Sequence, residues 1–165
     1  MIDVLRRMGG HIKILDKTET LEPAGDIEVK YSSLKGTLIT AGEVPLLIDE
    51  IPALAVAAAT AEGETRIMGI SELKVKETDR IKSIMYNLKA FGARTRVEDD
   101  DLVITGGIEK FKAYSVKNFG DHRTAMSAAI ASLVSDGECV IANTDCADTS
   151  YPGFLKDLKT LAVEK

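Results

Sequence analysis

Charged side chains crowd into residues 73–80, just ahead of a predicted amphipathic helix, and their types suit the binding of an anion. Three cations and two carboxylates occupy these eight positions. Backbone N–H groups at a helix start already favour an anion. Arg adds a two-pronged grip on carboxylate or phosphate, and Lys adds a point charge. The stretch predicts that Lys76 and Arg80 face a doubly charged ligand while Glu77 transfers a proton.

A purely structural interpretation of the same stretch stays open at this point. Thr78 would cap the helix, and Asp79 would complement the positive end of the helix dipole. The basic neighbours would then be solvated and would bind nothing.

A second candidate stretch covers residues 118–126. Gly120 predicts a tight turn, Asp121 predicts a helix cap, and Arg123 lies in the first turn of the helix that follows. A cation at that position is unfavourable by roughly 0.3–1 kcal/mol, so a compensating anion is expected. That anion is either a bound ligand or a carboxylate of the protein, such as Asp121.

Asp49 is the third candidate, because it comes just before an Ala-rich helix that begins near residue 51. The local sequence favours Asp49 as the N-terminal cap of that helix. A carboxylate at a helix start also keeps a low pKa, and could accept a hydrogen bond from a substrate hydroxyl. All three candidates thus lie at predicted helix N-termini, where anions and acceptors gather.

Composition and missing motifs argue against several classes of protein. The net charge of -5 and the pI of about 5.1 argue against general binding to nucleic acid. Two cysteines and two histidines predict neither a disulfide framework nor a zinc site. Phosphate-loop, dinucleotide and GxSxG motifs are missing, so no cofactor is expected. The N-terminus has no signal-peptide core, and the longest apolar run, residues 51–59, falls short of the roughly 20 residues that span a bilayer. These features predict a cytoplasmic protein.

Two pairs of segments resemble each other, in the same order and at nearly the same separation. Residues 5–14 and 88–97 each indicate a helix end, a glycine and a strand of alternating pattern. Residues 51–67 and 124–141 each indicate an Ala-rich helix, an acidic turn with glycine and a strand. The two pairs together predict a repeated α/β unit.

The hydrophobic pattern predicts how helices and strands are layered. Residues 79–91 form a helix with one apolar face, residues 27–29, 37–39 and 102–104 form strands, and a last helix runs from 152 to 161. The Ala-rich helices have almost no polar face, so they belong inside, and the sheets lie outside. The predicted fold class is α/β (α+β).

Three motifs in this chain resemble the 5-enolpyruvylshikimate-3-phosphate synthase family. Residues 74–80 and 118–126 resemble its two C-terminal signatures, and residues 48–52 resemble the segment with its catalytic aspartate. The family transfers the carboxyvinyl group of phosphoenolpyruvate to the 5-hydroxyl of shikimate 3-phosphate and releases phosphate without a metal. Its lobes are built of βαββαβ units with helices inside, which agrees with the layering predicted above.

The resemblance also implies a role for each candidate residue. Asp49 would bind the shikimate hydroxyls and accept a proton, and Lys76 would contact the shikimate ring. Glu77 would transfer a proton at the methylene carbon, while Arg80 and Arg123 would hold phosphoenolpyruvate.

By the same resemblance, residues 1–165 are a single C-terminal lobe fragment of a two-lobed enzyme, and the N-terminal lobe is absent. We therefore expect the chain to be inactive by itself and to self-associate through exposed apolar surface. Thr149 stands where many family members carry a lysine that contacts phosphoenolpyruvate. The alternatives are the related UDP-N-acetylglucosamine carboxyvinyl transferase and a non-catalytic anion-binding module. The Lys-Glu-Thr-Asp-Arg and Asp-His-Arg motifs favour the shikimate enzyme.

Overall fold

A computed structural model describes residues 1–18, 20–75 and 78–162. The helices of these ranges are α1 (Ile2–Arg7), α2 (Val44–Leu47), α3 (Ile51–Thr60), α4 (Arg80–Ala90), α5 (His122–Ser132) and α6 (Phe154–Leu161). The strands are β1 (His11–Leu15), β2 (Asp26–Lys30), β3 (Leu38–Ile39), β4 (Glu64–Met68), β5 (Arg94–Glu98), β6 (Asp101–Thr105), β7 (Ser115–Val116) and β8 (Val140–Ile141). Short 3-10 helices follow β4 and β8, at Ile70–Val75 and Thr144–Thr149.

The strands form three sheets in the described part of the chain. The largest has the order β3-β4-β6-β5, in which β3 and β4 are parallel and the other neighbours are antiparallel. The hairpin β1-β2 and the parallel pair β7-β8 form the two smaller sheets.

The predicted repeat is present as two units with the same order of elements. The first unit, residues 2–68, and the second unit, residues 80–141, each contain a helix, an antiparallel hairpin, a strand, an Ala-rich helix and a final strand. In each unit the third strand pairs in parallel with the last one. The first unit differs by the extra helix α2 and by a longer connection inside its hairpin, neither of which the sequence pattern predicted.

The first helix of each unit ends in the same way. Gly9 and Gly92 both follow the last helical turn with φ of +96°, where a residue with a Cβ atom is strained. The next backbone N–H then bonds back into the helix at 2.8 Å, from Gly10 to the Leu5 carbonyl and from Ala93 to the Leu88 carbonyl. This geometry is a Schellman motif, and it turns the chain directly into the first strand of each hairpin.

The Ala-rich helices occupy the interior and the sheets lie outside them, as the Ala-rich pattern predicted. Helices α3 and α5 pack against each other and bury most of their small side chains. The four-stranded sheet turns apolar side chains such as Ile67 and Ile104 towards them. Its other face carries exposed ion pairs, including Arg96 with Glu64 at 2.7 Å.

The last helix begins later than predicted. It starts at Phe154 rather than Pro152, because the preceding residues form a turn in which the Asp148 carboxylate accepts a hydrogen bond from the Gly153 N–H at 3.2 Å. None of its residues is buried. Within the described ranges, no helix is both long and apolar enough to cross a membrane.

Candidate functional site

The N-terminal ends of α3, α4 and α5 come together and bring three of the predicted site residues into contact. One Asp49 carboxylate oxygen accepts a hydrogen bond from Arg80 at 2.9 Å, and the other accepts one from Arg123 at 3.2 Å. These residues are 31 and 74 positions apart in sequence. The cluster also includes Asp121 and Glu50, which approach the same arginines.

Asp121 holds two parts of this cluster at once. As predicted, it is the N-cap of α5, and its Oδ1 accepts a hydrogen bond from the Arg123 backbone N–H at 2.8 Å. Its Oδ2 accepts one from Arg80 Nε at 3.1 Å. The side chains of Asp121 and Arg80 are 0% and 1% exposed, so this is a buried ion pair whose members also make other hydrogen bonds.

The turn before α5 explains why Asp121 lies so deep. The buried Asn118 side chain donates hydrogen bonds to the Ala142 and Asn143 carbonyls at 2.7 and 3.0 Å, and accepts one from the Gly120 N–H at 3.0 Å. These bonds attach the turn to the chain beyond β8. The start of α5 is thereby fixed relative to the core.

Asp49 is not the helix cap that its local sequence favoured, so that prediction was wrong. Helix α3 begins at Ile51, with Glu50 as the preceding residue and without a side-chain cap. Pro52 at the second helical position has no N–H to offer a capping carboxylate. The Asp49 carboxylate instead faces the two arginines, and it is 44% exposed.

Arg123 is partly exposed and lies beside two carboxylates. Its side chain is 28% exposed and bonds to Asp49, while one guanidinium nitrogen lies 3.9 Å from Glu50. The Arg123 Nε is buried and finds no hydrogen-bond acceptor among the described residues. Of the two alternatives for the anion beside Arg123, the described residues contain the protein carboxylate, and it is that of Asp49. The Asp121 carboxylate instead accepts a hydrogen bond from the Arg123 backbone N–H. A donor without an acceptor remains beside that pair.

The charged stretch before α4 is only partly described. Lys76 and Glu77 lie outside the described residues. Thr78 is not the cap of α4, because Asp79 takes that place and accepts a hydrogen bond from the Lys82 N–H at 3.1 Å. Burial opposes ionisation of Asp79, but the hydrogen bonds from Lys82 outweigh it and lower the pKa of the carboxyl.

The ion pair between Arg80 and Asp121 was missed at the level of sequence. The sequence predicted only a capping role for Asp121 and only contact with an anionic ligand for Arg80. The two residues are 41 positions apart, and no local pattern signals that they meet. No group of three or more His, Cys, Asp or Glu side chains that could hold a metal ion occurs in the described residues.

Comparison with known proteins gives a consistent result. The EPSP synthase (3-phosphoshikimate 1-carboxyvinyltransferase) family matches residues 1–158. A 3-phosphoshikimate 1-carboxyvinyltransferase of Desulforamulus reducens is 44% identical over 165 residues, which are 99% of this chain and 38% of the relative. The enzyme of the same name from Syntrophotalea carbinolica is 46% identical over 155 residues, 93% of this chain and 36% of the relative.

Solved structures agree with this result. An EPSP synthase from Acinetobacter baumannii has a TM-score of 0.89 and 37% identity over 98% of this chain and 38% of its own. The enolpyruvyl transferase NikO from Streptomyces tendae, with a TM-score of 0.69 and 23% identity over 99% of this chain and 35% of its own, shares the fold. This chain spans about 38% of the length of the first of these relatives. With its motifs, its repeated units and its helix-start cluster, the chain belongs to the EPSP synthase family.

Proposed function

We propose that the protein containing this chain transfers the carboxyvinyl group of phosphoenolpyruvate to the 5-hydroxyl of shikimate 3-phosphate and releases phosphate. The observation that carries the proposal is the contact of Asp49 with both Arg80 and Arg123, at 2.9 and 3.2 Å. A carboxylate flanked by two guanidiniums suits a reaction between two anionic substrates with proton transfer at a hydroxyl.

Arg123 is proposed to hold phosphoenolpyruvate. Its side chain is partly exposed, and its Nε donor has no acceptor among the described residues. Both observations support this role, because a carboxylate or phosphate oxygen would satisfy that donor. Arg80 is proposed as the second contact. Since its side chain is 1% exposed, that contact requires its neighbours to move, and its observed bonds to Asp49 and Asp121 also fix both carboxylates.

Asp49 is proposed to bind the shikimate hydroxyls. It is also proposed to accept the proton of the 5-hydroxyl while the oxygen of that hydroxyl forms a bond to the enol carbon. The methylene carbon gains a proton in the same addition, for which Glu77 is the proposed donor. Phosphate then leaves, and loss of a proton from the new methyl group restores the double bond. Lys76 is proposed to contact the shikimate ring. The exposed half of the Asp49 side chain supports access by substrate.

The remaining substrate contacts are proposed to come from a second lobe outside these 165 residues. The share of the relatives that the chain covers, about 38%, supports that proposal. At position 149, many family members have a lysine that contacts phosphoenolpyruvate. Thr149 stands there in this chain, so we expect no cationic contact with phosphoenolpyruvate from this position. The isolated chain is proposed to lack turnover, and its exposed apolar side chains support self-association.

A chimera tests the function. In it, this chain replaces the matched segment of the Desulforamulus reducens relative, and phosphate release is measured with both substrates, with each alone, and with the 165-residue chain by itself. We expect release by the chimera only when both substrates are present, and none by the isolated chain. A chimera that folds, as judged by its circular dichroism and thermal unfolding, but releases no phosphate would contradict the proposal.

Substitutions in the chimera test the individual roles. Asp49→Asn should lower kcat by about 100-fold or more, because the proton acceptor is lost, and Lys76→Met is expected to have a similar effect. Glu50→Gln is the matched control, since this carboxylate is adjacent but lies 3.9 Å from Arg123, and it should change kcat by less than about threefold. Equal effects at positions 49 and 50 would refute the assignment of Asp49.

A further inference from the structure

Helices α4 and α5 meet along a seam of polar side chains, although both pack into an apolar interior. The first contact of this seam is the ion pair of Arg80 with Asp121, at 3.1 Å. One turn further along each helix, the hydroxyl oxygens of Ser83 and Thr124 lie 3.4 Å apart. Both pairs are 41 positions apart in sequence. The two helices therefore keep one register from the candidate site into the core.

The third step of the seam lacks a direct contact. Asn87 is the next polar residue of α4 on this face, and the same offset of 41 positions leads to Ala128, whose methyl group donates no hydrogen bond. Asn87 is 6% exposed, and its Nδ2 donates to the Lys117 carbonyl at 2.8 Å. Its Oδ1 is buried and has no hydrogen-bond donor among the described residues. A buried acceptor without a donor destabilises the folded state.

A small cavity of about 20 Å³ lies at this third step, between α3, α4 and α5. Val56, Asn87, Thr124 and Ser127 are among the residues that line it. Lys117 is not one of the described residues that line it, so Oδ1 is the amide atom of Asn87 that is available to this space. Every residue of the lining is buried by these 165 residues themselves. A cavity of this size holds one water molecule.

The hydroxyl groups that line the cavity have their hydrogens engaged elsewhere. Ser127 donates its hydrogen to the Thr124 carbonyl at 3.0 Å. Ser83 donates to the Arg80 carbonyl at 3.0 Å, so the contact between Ser83 and Thr124 uses the hydrogen of Thr124. The hydroxyl oxygens of Thr124 and Ser127 are therefore available to the cavity only as acceptors, like Asn87 Oδ1. A molecule that binds there must donate hydrogen bonds.

We propose that one ordered water molecule binds between α3, α4 and α5. It donates one hydrogen bond to Asn87 Oδ1 and the other to the hydroxyl oxygen of Thr124 or Ser127. The water supplies the third contact of the seam and satisfies the buried acceptor. It ties α4 to α5 about two turns inward from Arg80, and so helps to keep the helix starts that carry Arg80 and Arg123 in register. This site does not depend on the reaction proposed above.

A high-resolution crystal structure of the chimera tests the site directly. We expect a peak of electron density within about 3.2 Å of Asn87 Oδ1 and of one of the two hydroxyl oxygens. Well-ordered density for the lining side chains without such a peak would overturn the proposal. A direct hydrogen bond from a protein donor to Asn87 Oδ1 would overturn it as well.

Solution NMR of the methyl-labelled 165-residue chain provides a second test. Nuclear Overhauser effects should connect the bound water to the methyl groups of Thr124 and Ala128, which both line the cavity. Asn87→Leu should abolish these effects, because leucine fills the cavity and offers no acceptor. The variant keeps the hydroxyl groups of Thr124 and Ser127, so this loss excludes hydroxyl exchange as the source of the signal.

Ser132→Ala is the matched control for the NMR experiment. Ser132 also lies on α5 and donates to the carbonyl three residues earlier, at 2.7 Å, but it does not line the cavity. Its replacement should leave the effects at Thr124 and Ala128 unchanged. Absence of these effects in the wild type, or their persistence in a folded Asn87→Leu variant, would contradict the proposal.

Discussion

The first and second units share their order of elements, yet equivalent positions have very different surroundings. The hairpin registers make Ile27 equivalent to Leu102, and Val29 equivalent to Ile104. Leu102 and Ile104 are fully buried, and their strand β6 pairs with β4 of the first unit, whereas Ile27 and Val29 are 56% and 65% exposed. Equivalent local patterns therefore produce the same strand, but a neighbouring unit decides whether that strand is part of the core.

The two units also contribute differently to the helix-start cluster. The first unit supplies Asp49, and the second supplies Arg80, Asp121 and Arg123. Residues that repeat, such as Gly9 and Gly92, build the scaffold. Residues of both units meet where the units join, and there they form the candidate site.

The largest expected effect distinguishes the two carboxylates that bind Arg80. Asp121→Asn keeps an oxygen able to cap α5 but removes a buried charge, and it should lower the free energy of unfolding by about 3 kcal/mol. Asp49→Asn, at a half-exposed position, should cost less than about 1 kcal/mol. Urea unfolding of both variants measures the difference, and equal losses would show that burial does not separate the two roles.

The helix ends test whether the repeat is equivalent in energy as well as in geometry. Gly9→Ala and Gly92→Ala should each cost about 1–2 kcal/mol, because alanine is strained at positive φ. An added Cβ meets no atom closer than 3.4 Å at either position, so packing should not separate the two variants. Gly42→Ala is the control, since its surroundings are open. A difference above about 1 kcal/mol between positions 9 and 92 would contradict equivalence.

The smallest expected effect concerns an ion pair of the first unit. Glu43 accepts hydrogen bonds from Arg7 at 2.8 Å and from the Thr40 N–H at 2.9 Å. These bonds lower the pKa of Glu43 from 4.5 to about 2. A depressed pKa gives stability that is present above the unfolded-state pKa and is lost as pH falls towards about 2. When the two units are aligned on Gly9 and Gly92, Arg7 corresponds to Ala90 of the second unit. Ala90 carries no charge, so the second unit has no equivalent ion pair at this position.

Urea midpoints of the wild type and Glu43→Gln should therefore differ near neutral pH and converge as the pH falls below about 4. The difference in the free energy of unfolding should stay below about 1 kcal/mol, because the side chains of Arg7 and Glu43 are partly exposed and solvent screens them. In an Arg7→Gln background this difference should be smaller still. A difference that grows as the pH falls would have the wrong sign for this ion pair.

Much of the fold could be predicted because its signals are local. The glycines at 9 and 92, the Ala-rich helices and the cap at Asp121 each depend on a few neighbouring residues, and the structure confirms them. The extra helix α2 and the later start of α6 were missed. The start of α6 is set by the hydrogen bond from the Gly153 N–H to the Asp148 carboxylate. Hydrophobic periodicity does not predict that bond.

The candidate site was predictable only in part. That three helix starts carry charged residues is visible in the sequence, and the family resemblance grouped them. Asp49 binds two arginines instead of capping α3, and these arginines are 31 and 74 positions away in sequence. No local sequence pattern indicates contacts over such separations.

The sequence by itself determined the two units, their helix ends and the apolar character of the inner helices, because these follow from backbone sterics and hydrophobic periodicity within short windows. The tertiary structure alone decided which charges meet. It buried Arg80 against Asp121 and brought Asp49 into contact with both Arg80 and Arg123. The physical reason is that solvation and Coulomb energies depend on neighbours in space, and folding brings these together from distant parts of the chain.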